Sequence, residues 1–181
     1  MKKIILFVAV VMMAGFSTTA MAQTFATVSA TPAGAKLIVP MTLSQTSPLH
    51  FGTINLLDGK TAGTVLLPSN SLVRVPSAGV ALSIVAPYAT NAAYNVTGTM
   101  NATYALTLPA TVVVTETVGA TAVMTISALT ARFNGAAADA VVSTLSATGT
   151  DNFTVGGTLT VTAAQIGGIY AGTFPVTVDY N

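Results

Sequence analysis

Short segments in which apolar and polar residues alternate dominate this chain, and the clearest one lies at its C-terminal end. From Tyr170 to Tyr180, every second residue is mostly apolar and the set includes Phe174, Val176 and Val178, whereas the residues between them are mostly polar. Side chains alternate faces along a β-strand. The pattern therefore predicts one continuous terminal strand with an apolar face, anchored by an aromatic residue in the penultimate position.

Comparable segments recur along the chain, and about nine short strands separated by turn signals every 8–12 residues or so predict an all-β, antiparallel β-sandwich. One predicted strand covers Ala35 to Leu43, with Pro40 placing it at a sheet edge or a bulge. Asp58-Gly59 and Gly156-Gly157 are interpreted as turns. The segment from Ala136 to Leu145 has weak helical character and is interpreted as a loop.

The N-terminal residues have the organisation of a secretory signal peptide. Lys2 and Lys3 precede an uncharged apolar stretch over 4–16, and Ala20-Met21-Ala22 forms a small-x-small cleavage site. We therefore expect residues 1–22 to be removed and the mature chain to be exported to the extracellular space or the cell surface. The apolar stretch is too short to span a membrane comfortably, so no membrane span is expected in the mature chain.

Charge and cysteine content restrict the possible functions of the mature chain. Loss of Lys2 and Lys3 changes the formal net charge from +1 to −1, and no basic patch remains for nucleic acid. A surface with so few charges repels its neighbours weakly, which suits a protein that packs against copies of itself. The chain has no cysteine, so its core must be stable without disulfides. One domain over 35–181 is expected.

The sequence gives little support to catalysis, and we predict no catalytic, cofactor-binding or metal-binding residues. His50 is the only histidine, so a catalytic base would lack partners of its own kind nearby. The five acidic residues are dispersed along the sequence, and each lies in or near a predicted turn, where aspartate is expected for backbone reasons. Metal sites built from cysteine and histidine are excluded. A hydrolase that gathers acidic residues from distant loops is the least favoured alternative.

Several motifs resemble a family of secreted bacterial proteins known as domain-of-unknown-function family 4402. They include Leu49-His50-Phe51-Gly52, Phe153-Thr154-Val155-Gly156-Gly157 and Tyr170-Ala171-Gly172-Thr173-Phe174. The resemblance covers most of residues 35–181 and rests on apolar and glycine positions. It implies an immunoglobulin-like sandwich and no established activity.

The C-terminal strand also resembles that of pilins assembled by the chaperone–usher route. Gly168 is fourteenth from the end, and Tyr170, Phe174, Val176, Val178 and Tyr180 supply the alternating face with a penultimate tyrosine. Pro175 and the missing disulfide depart from the pilin pattern. The resemblance implies copies of the same chain or other surface subunits as partners, together with a periplasmic assembly chaperone.

That resemblance assigns residues 23–34 as an N-terminal extension that could complete a neighbour's sheet by strand addition. The candidate donor residues are Phe25, Ala26, Val28 and Ala30. The better apolar face consists of Ala26, Val28 and Ala30, with Phe25 beside it, and the small size of these three residues makes the extension a weak donor. A disordered leader is the alternative interpretation.

The predicted function is a non-enzymatic structural or adhesive protein of the bacterial surface, in the form of a pilin-like fibre subunit. The runner-up is a free-standing binding module for carbohydrate or protein.

Overall fold

A computed structural model describes residues 30–59 and 61–181, and every regular element within them is a β-strand. Over these ranges no helix is long and apolar enough to cross a membrane. The chain separates into two units, of which the second is compact and covers residues 37–181. The strands, all in the second unit, are β1 Thr42–Ser47, β2 His50–Phe51, β3 Ile54–Leu56, β4 Gly63–Leu67, β5 Val75–Pro76, β6 Val80–Leu82, β7 Ala89–Thr90, β8 Ala92–Thr97, β9 Thr103–Thr107, β10 Thr111–Glu116, β11 Val123–Phe133, β12 Val142–Thr144, β13 Thr150–Val161, β14 Tyr170–Ala171 and β15 Thr177–Tyr180.

The strands form antiparallel sheets. The main sheet has the order β1-β8-β13-β11-β10-β14, with β4 beside β13 and β5 beside β4. A smaller sheet has the order β12-β9-β15, and the pairs β2-β7 and β3-β6 form two-stranded ribbons. The all-β prediction is confirmed, and the paired antiparallel sheets are consistent with the predicted β-sandwich.

The alternating pattern buries two apolar clusters. In the first, Phe153 stacks on Tyr94 with ring centroids 5.1 Å apart, and Phe133 meets Phe153 edge-on at 5.5 Å. Tyr104 meets Phe133 edge-on at 5.8 Å, and its side chain is fully buried. The second cluster contains Phe51, Val65, Leu67, Val80, Val112, Ile126, Leu159 and Val161. Leu49 and Leu129 pack against both clusters, so the two share a boundary.

The predicted turn at Gly156-Gly157 is wrong, because both glycines lie inside the twelve-residue strand β13. At this point β13 changes its partner on one side from β8 to β4. A Cβ atom on Gly156 would lie 2.2 Å from the Leu67 carbonyl oxygen. The glycine is therefore required by the close approach of another backbone and does not mark a change of chain direction.

The predicted strand from Ala35 to Leu43 is wrong over residues 35–41. Strand β1 begins at Thr42, and residues 30–41 form no regular element. The backbone N–H of Val39 donates to the Thr99 hydroxyl at 2.7 Å, so this amide is satisfied by a side chain outside any ladder. Pro40 has no amide hydrogen to donate, which is consistent with the late start of β1.

Candidate functional site

The predicted terminal strand is divided between two sheets. Its first part, β14, pairs with β10 in the main sheet, and its second part, β15, pairs with β9 in the smaller sheet. The residues between them, which include Pro175, form no strand. The prediction of one continuous strand over residues 170–180 is therefore wrong, because the segment crosses from one sheet to the other.

The alternation within this segment is confirmed, although its apolar side chains are only partly buried. Phe174 packs against the second cluster, whereas Val176, Val178 and Tyr180 pack against the first. The intervening residues from Thr173 to Asp179 are exposed. The terminal segment therefore contributes apolar contacts to both clusters while part of its surface stays accessible.

Strand β15 forms an edge of the smaller sheet, with β9 as its partner among the described residues. The backbone N–H of Asn181 donates to the Thr103 carbonyl, and that of Leu106 donates away from β15, to Val141. Hydrogen-bonded and non-hydrogen-bonded pairs alternate along an antiparallel ladder. The Val178–Leu106 pair is therefore non-hydrogen-bonded, and the backbone polar groups of Val178 and Tyr180 point to the open edge.

The hydroxyl of Tyr180 connects this edge to the segment before β1. It accepts a hydrogen bond from the Thr99 N–H at 2.7 Å and donates one to the Val39 carbonyl at 2.7 Å. A Cβ atom on Gly98 would lie 2.3 Å from the same hydroxyl oxygen. The penultimate tyrosine thus has a defined structural role within its own subunit.

Gly168 lies before β14 and is exposed. A Cβ atom at this position would lie 2.8 Å from the Cγ and Oε1 atoms of Glu116. The Glu116 carboxylate accepts hydrogen bonds from the N–H groups of Gly119 and Val118, and these bonds lower the pKa of Glu116 against the opposing effect of burial. The glycine therefore leaves room for a side chain that organises the turn after β10.

Most of the predicted donor residues lie outside the described residues, namely Phe25, Ala26 and Val28. Ala30 is described, and it is exposed and belongs to no strand. The exposed stretch continues to Pro40 and includes Leu37, whose side chain is 87% exposed. Sequence reasoning assigned Leu37 to a packed strand and so missed the most exposed of the large apolar side chains in this segment.

Titratable side chains in the described residues form small structural networks. The Nδ1 atom of His50 accepts a hydrogen bond from the Gly52 N–H at 2.8 Å. Asp139 accepts from Ser69 Oγ at 2.6 Å and from Arg132 Nε at 2.7 Å. Burial is the largest single influence and acts to raise the pKa of Asp139, but hydrogen bonds from Ser69, Arg132 and Thr130, together with the positive charge of Arg132, outweigh it and the pKa is lowered.

A second network joins β13 of the main sheet to β9 and β12 of the smaller sheet. Asp151 Oδ2 accepts from the Tyr104 hydroxyl at 2.9 Å and from Ser143 Oγ at 2.6 Å. Burial, followed by the nearby Asp151 carboxylate, raises the pKa of Tyr104 far above its usual value. Across residues 30–59 and 61–181, no group of three or more histidine, cysteine, aspartate or glutamate side chains is arranged to hold a metal ion.

The family described as Domain of unknown function (DUF4402) matches residues 41–180. The chain belongs to this family. A comparison with curated proteins found no match. The matched residues run from before β1 to the end of β15 and so include every described strand.

Proposed function

We propose that this DUF4402 protein is an exported, non-enzymatic subunit of a bacterial surface structure with an immunoglobulin-like fold. In this proposal the subunit assembles with copies of itself, or with other surface subunits, by strand addition. The observation that carries the proposal is the open edge of β15, where backbone polar groups of Val178 and Tyr180 have no strand beside them among the described residues. Exposed strand edges of this kind are templates for pairing with another chain.

The apolar face of the terminal segment supports the same proposal. Val176, Val178 and Tyr180 pack only partly against the first cluster, so an added strand could bury more of their surface. Burial of apolar surface contributes about 25 cal/mol per Å². A strand on this edge would thus gain from both main-chain hydrogen bonds and side-chain burial, as in other cases of β-augmentation.

The proposed donor is the N-terminal extension of a neighbouring subunit, residues 23–34. Ala26, Val28 and Ala30 have small side chains, but Leu37, in the exposed stretch over residues 30–40, adds a larger apolar side chain close to them in sequence. During export, a periplasmic chaperone would cover the open edge until a neighbour's extension replaces it. Low surface charge would allow the assembled subunits to pack closely.

Deletion of residues 23–33 from the mature protein tests this proposal. We expect the full-length protein to form polymers in multi-angle light scattering, and the deletion variant to remain a folded monomer. A synthetic peptide of residues 23–41 should raise the melting temperature of the deletion variant, because a ligand that binds only the native state stabilises it. A scrambled peptide of the same composition is the control. Identical monomers before and after deletion would contradict assembly by this extension.

A further inference from the structure

Three asparagines form a row across the outer face of the main sheet. Asn95 on β8 lies directly opposite Asn152 on β13. The backbone N–H of Asn134, just after β11, donates to the Asn152 carbonyl at 2.9 Å, so Asn134 continues the row. Because side chains alternate across a sheet, the neighbouring positions on these strands face the core, where they are occupied by the aromatic residues Tyr94, Phe153 and Phe133.

The three side-chain amides have no hydrogen-bond partner among the described residues, and all three side chains are exposed. Asn91 shows the contrast, because its amide nitrogen donates to the carbonyls of Pro68 and Val155 at 2.7 and 3.4 Å. Each free amide offers two donors and one carbonyl acceptor. The row thus presents amide groups on the outer face of the sheet that no other protein group occupies.

These amides line one depression of about 480 Å³, together with hydroxyl-bearing side chains that include Thr144, Ser146 and Thr150. Asp151 also lines it, and its carboxylate is held in place from several sides. Oδ2 accepts from Tyr104 and Ser143, and Oδ1 accepts from the Asn152 N–H at 2.8 Å. Tyr104 is fully buried, so the orientation of the carboxylate is set by the core.

The chemistry of the lining selects one class of ligand. An apolar ligand would displace water from the three amides and leave them without partners, which is costly. An anionic ligand would meet the Asp151 carboxylate with no cationic side chain in the lining to offset it. A single carboxylate is a poor site for calcium, which takes six to eight oxygen ligands. A neutral ligand with several hydroxyl groups can pair with the donors and acceptors of the three amides at once.

We propose that the Asn95–Asn152–Asn134 depression binds a neutral carbohydrate. No aromatic side chain lines it, so hydrogen bonds would supply the recognition and each single site would bind weakly. Display of many copies on one surface would raise the overall strength of binding. This inference goes beyond the assembly role and does not depend on it, because a monomeric subunit would carry the same site.

An array of neutral and anionic oligosaccharides, probed with the mature protein, tests the proposal. We expect binding to neutral members, and a loss of about tenfold or more in the double variant Asn95→Ala/Asn152→Ala, since several hydrogen bonds are removed. Asn55→Ala is the matched control, because Asn55 is also an exposed strand asparagine but lies on β3, outside the depression. Circular dichroism of both variants establishes that they are folded.

Repetition of the array in EDTA and in high salt separates the proposed site from other sources of binding. Binding to a neutral sugar through amides should persist in both conditions, since it needs no cation and charge screening acts only on charged groups. The proposal is overturned if no neutral oligosaccharide binds above background, if the double variant and the Asn55→Ala control bind equally, or if binding requires calcium or is confined to anionic members.

Discussion

Removal of the Tyr180 hydroxyl by the substitution Tyr180→Phe should measurably destabilise the protein. The hydroxyl accepts from the Thr99 N–H and donates to the Val39 carbonyl, and both distances are 2.7 Å. The ring stays in place in this variant and keeps its contacts with the first apolar cluster. The experiment therefore isolates the two hydrogen bonds that join the C-terminal edge to the segment before β1.

The expected size of the effect follows from the environment of each bond. The bond from Thr99 is partly buried, and one such bond contributes about 0.5–1.5 kcal/mol. The bond to Val39 is exposed and should contribute near the lower end of that range, because water can replace the hydroxyl. We therefore expect the free energy of unfolding to fall by about 1–2 kcal/mol in total.

Urea denaturation of the mature protein measures this change. With a slope near 2 kcal/mol/M, the midpoint should fall by about 0.5–1 M while the slope stays constant. Tyr88→Phe is the matched control, since Tyr88 is 69% exposed and its hydroxyl has no hydrogen-bond partner among the described residues. Its stability should change by less than about 0.5 kcal/mol. Equal midpoints for the two variants would refute the assigned role of the Tyr180 hydroxyl.

Three further substitutions test the packing and the turn chemistry. Phe174→Ala should cost about 2 kcal/mol, near half the cost for a fully buried ring, whereas Thr177→Ala on the exposed face should cost less than about 1 kcal/mol in the same urea assay. Gly156→Ala should lower the melting temperature strongly because its Cβ would meet the Leu67 carbonyl, while Gly167→Ala, with open space around it, should not. The lowered pKa of Glu116 means that its contribution to stability is present above its unfolded pKa of about 4.3 and is lost as the pH falls through the folded value. The stability difference between wild type and Glu116→Gln should therefore shrink between pH 7 and pH 3, and a constant difference in thermal melts would contradict this.

The period-two pattern predicted the all-β class and the faces of most strands, because alternation is a local property of the sequence. It predicted which residues of the terminal segment point inward, from Phe174 to Tyr180, and the structure confirms this. It did not predict that the segment divides between two sheets, because the choice of partner strand depends on contacts that are distant in sequence. Only Pro175, which cannot donate to a ladder, marked the position of the division.

The glycine predictions at Gly59 and Gly156 had different outcomes because these glycines are required for different physical reasons. Gly59 occupies a turn with φ of +65°, a conformation that glycine favours, so the local turn prediction at Asp58-Gly59 is confirmed. Gly156 is required instead by the backbone of β4, which lies about ninety positions earlier in the chain. The row of asparagines was missed for a similar reason. Asn95, Asn134 and Asn152 are adjacent only through strand register, and no spacing in the sequence brings them together.

Occupation of the β15 edge should stabilise the whole domain and not only its C-terminal end. Val178 and Tyr180 contact the first cluster, Phe174 contacts the second, and Leu49 and Leu129 pack against both. Clusters that share side chains in this way should unfold together, as is usual for single domains of this size. A donor peptide bound at β15 should therefore shift one cooperative melting transition of the deletion variant upward as a whole. A separate high-temperature transition would show instead that the terminal segment is energetically independent, and the edge would then be a local attachment point with no influence on the core.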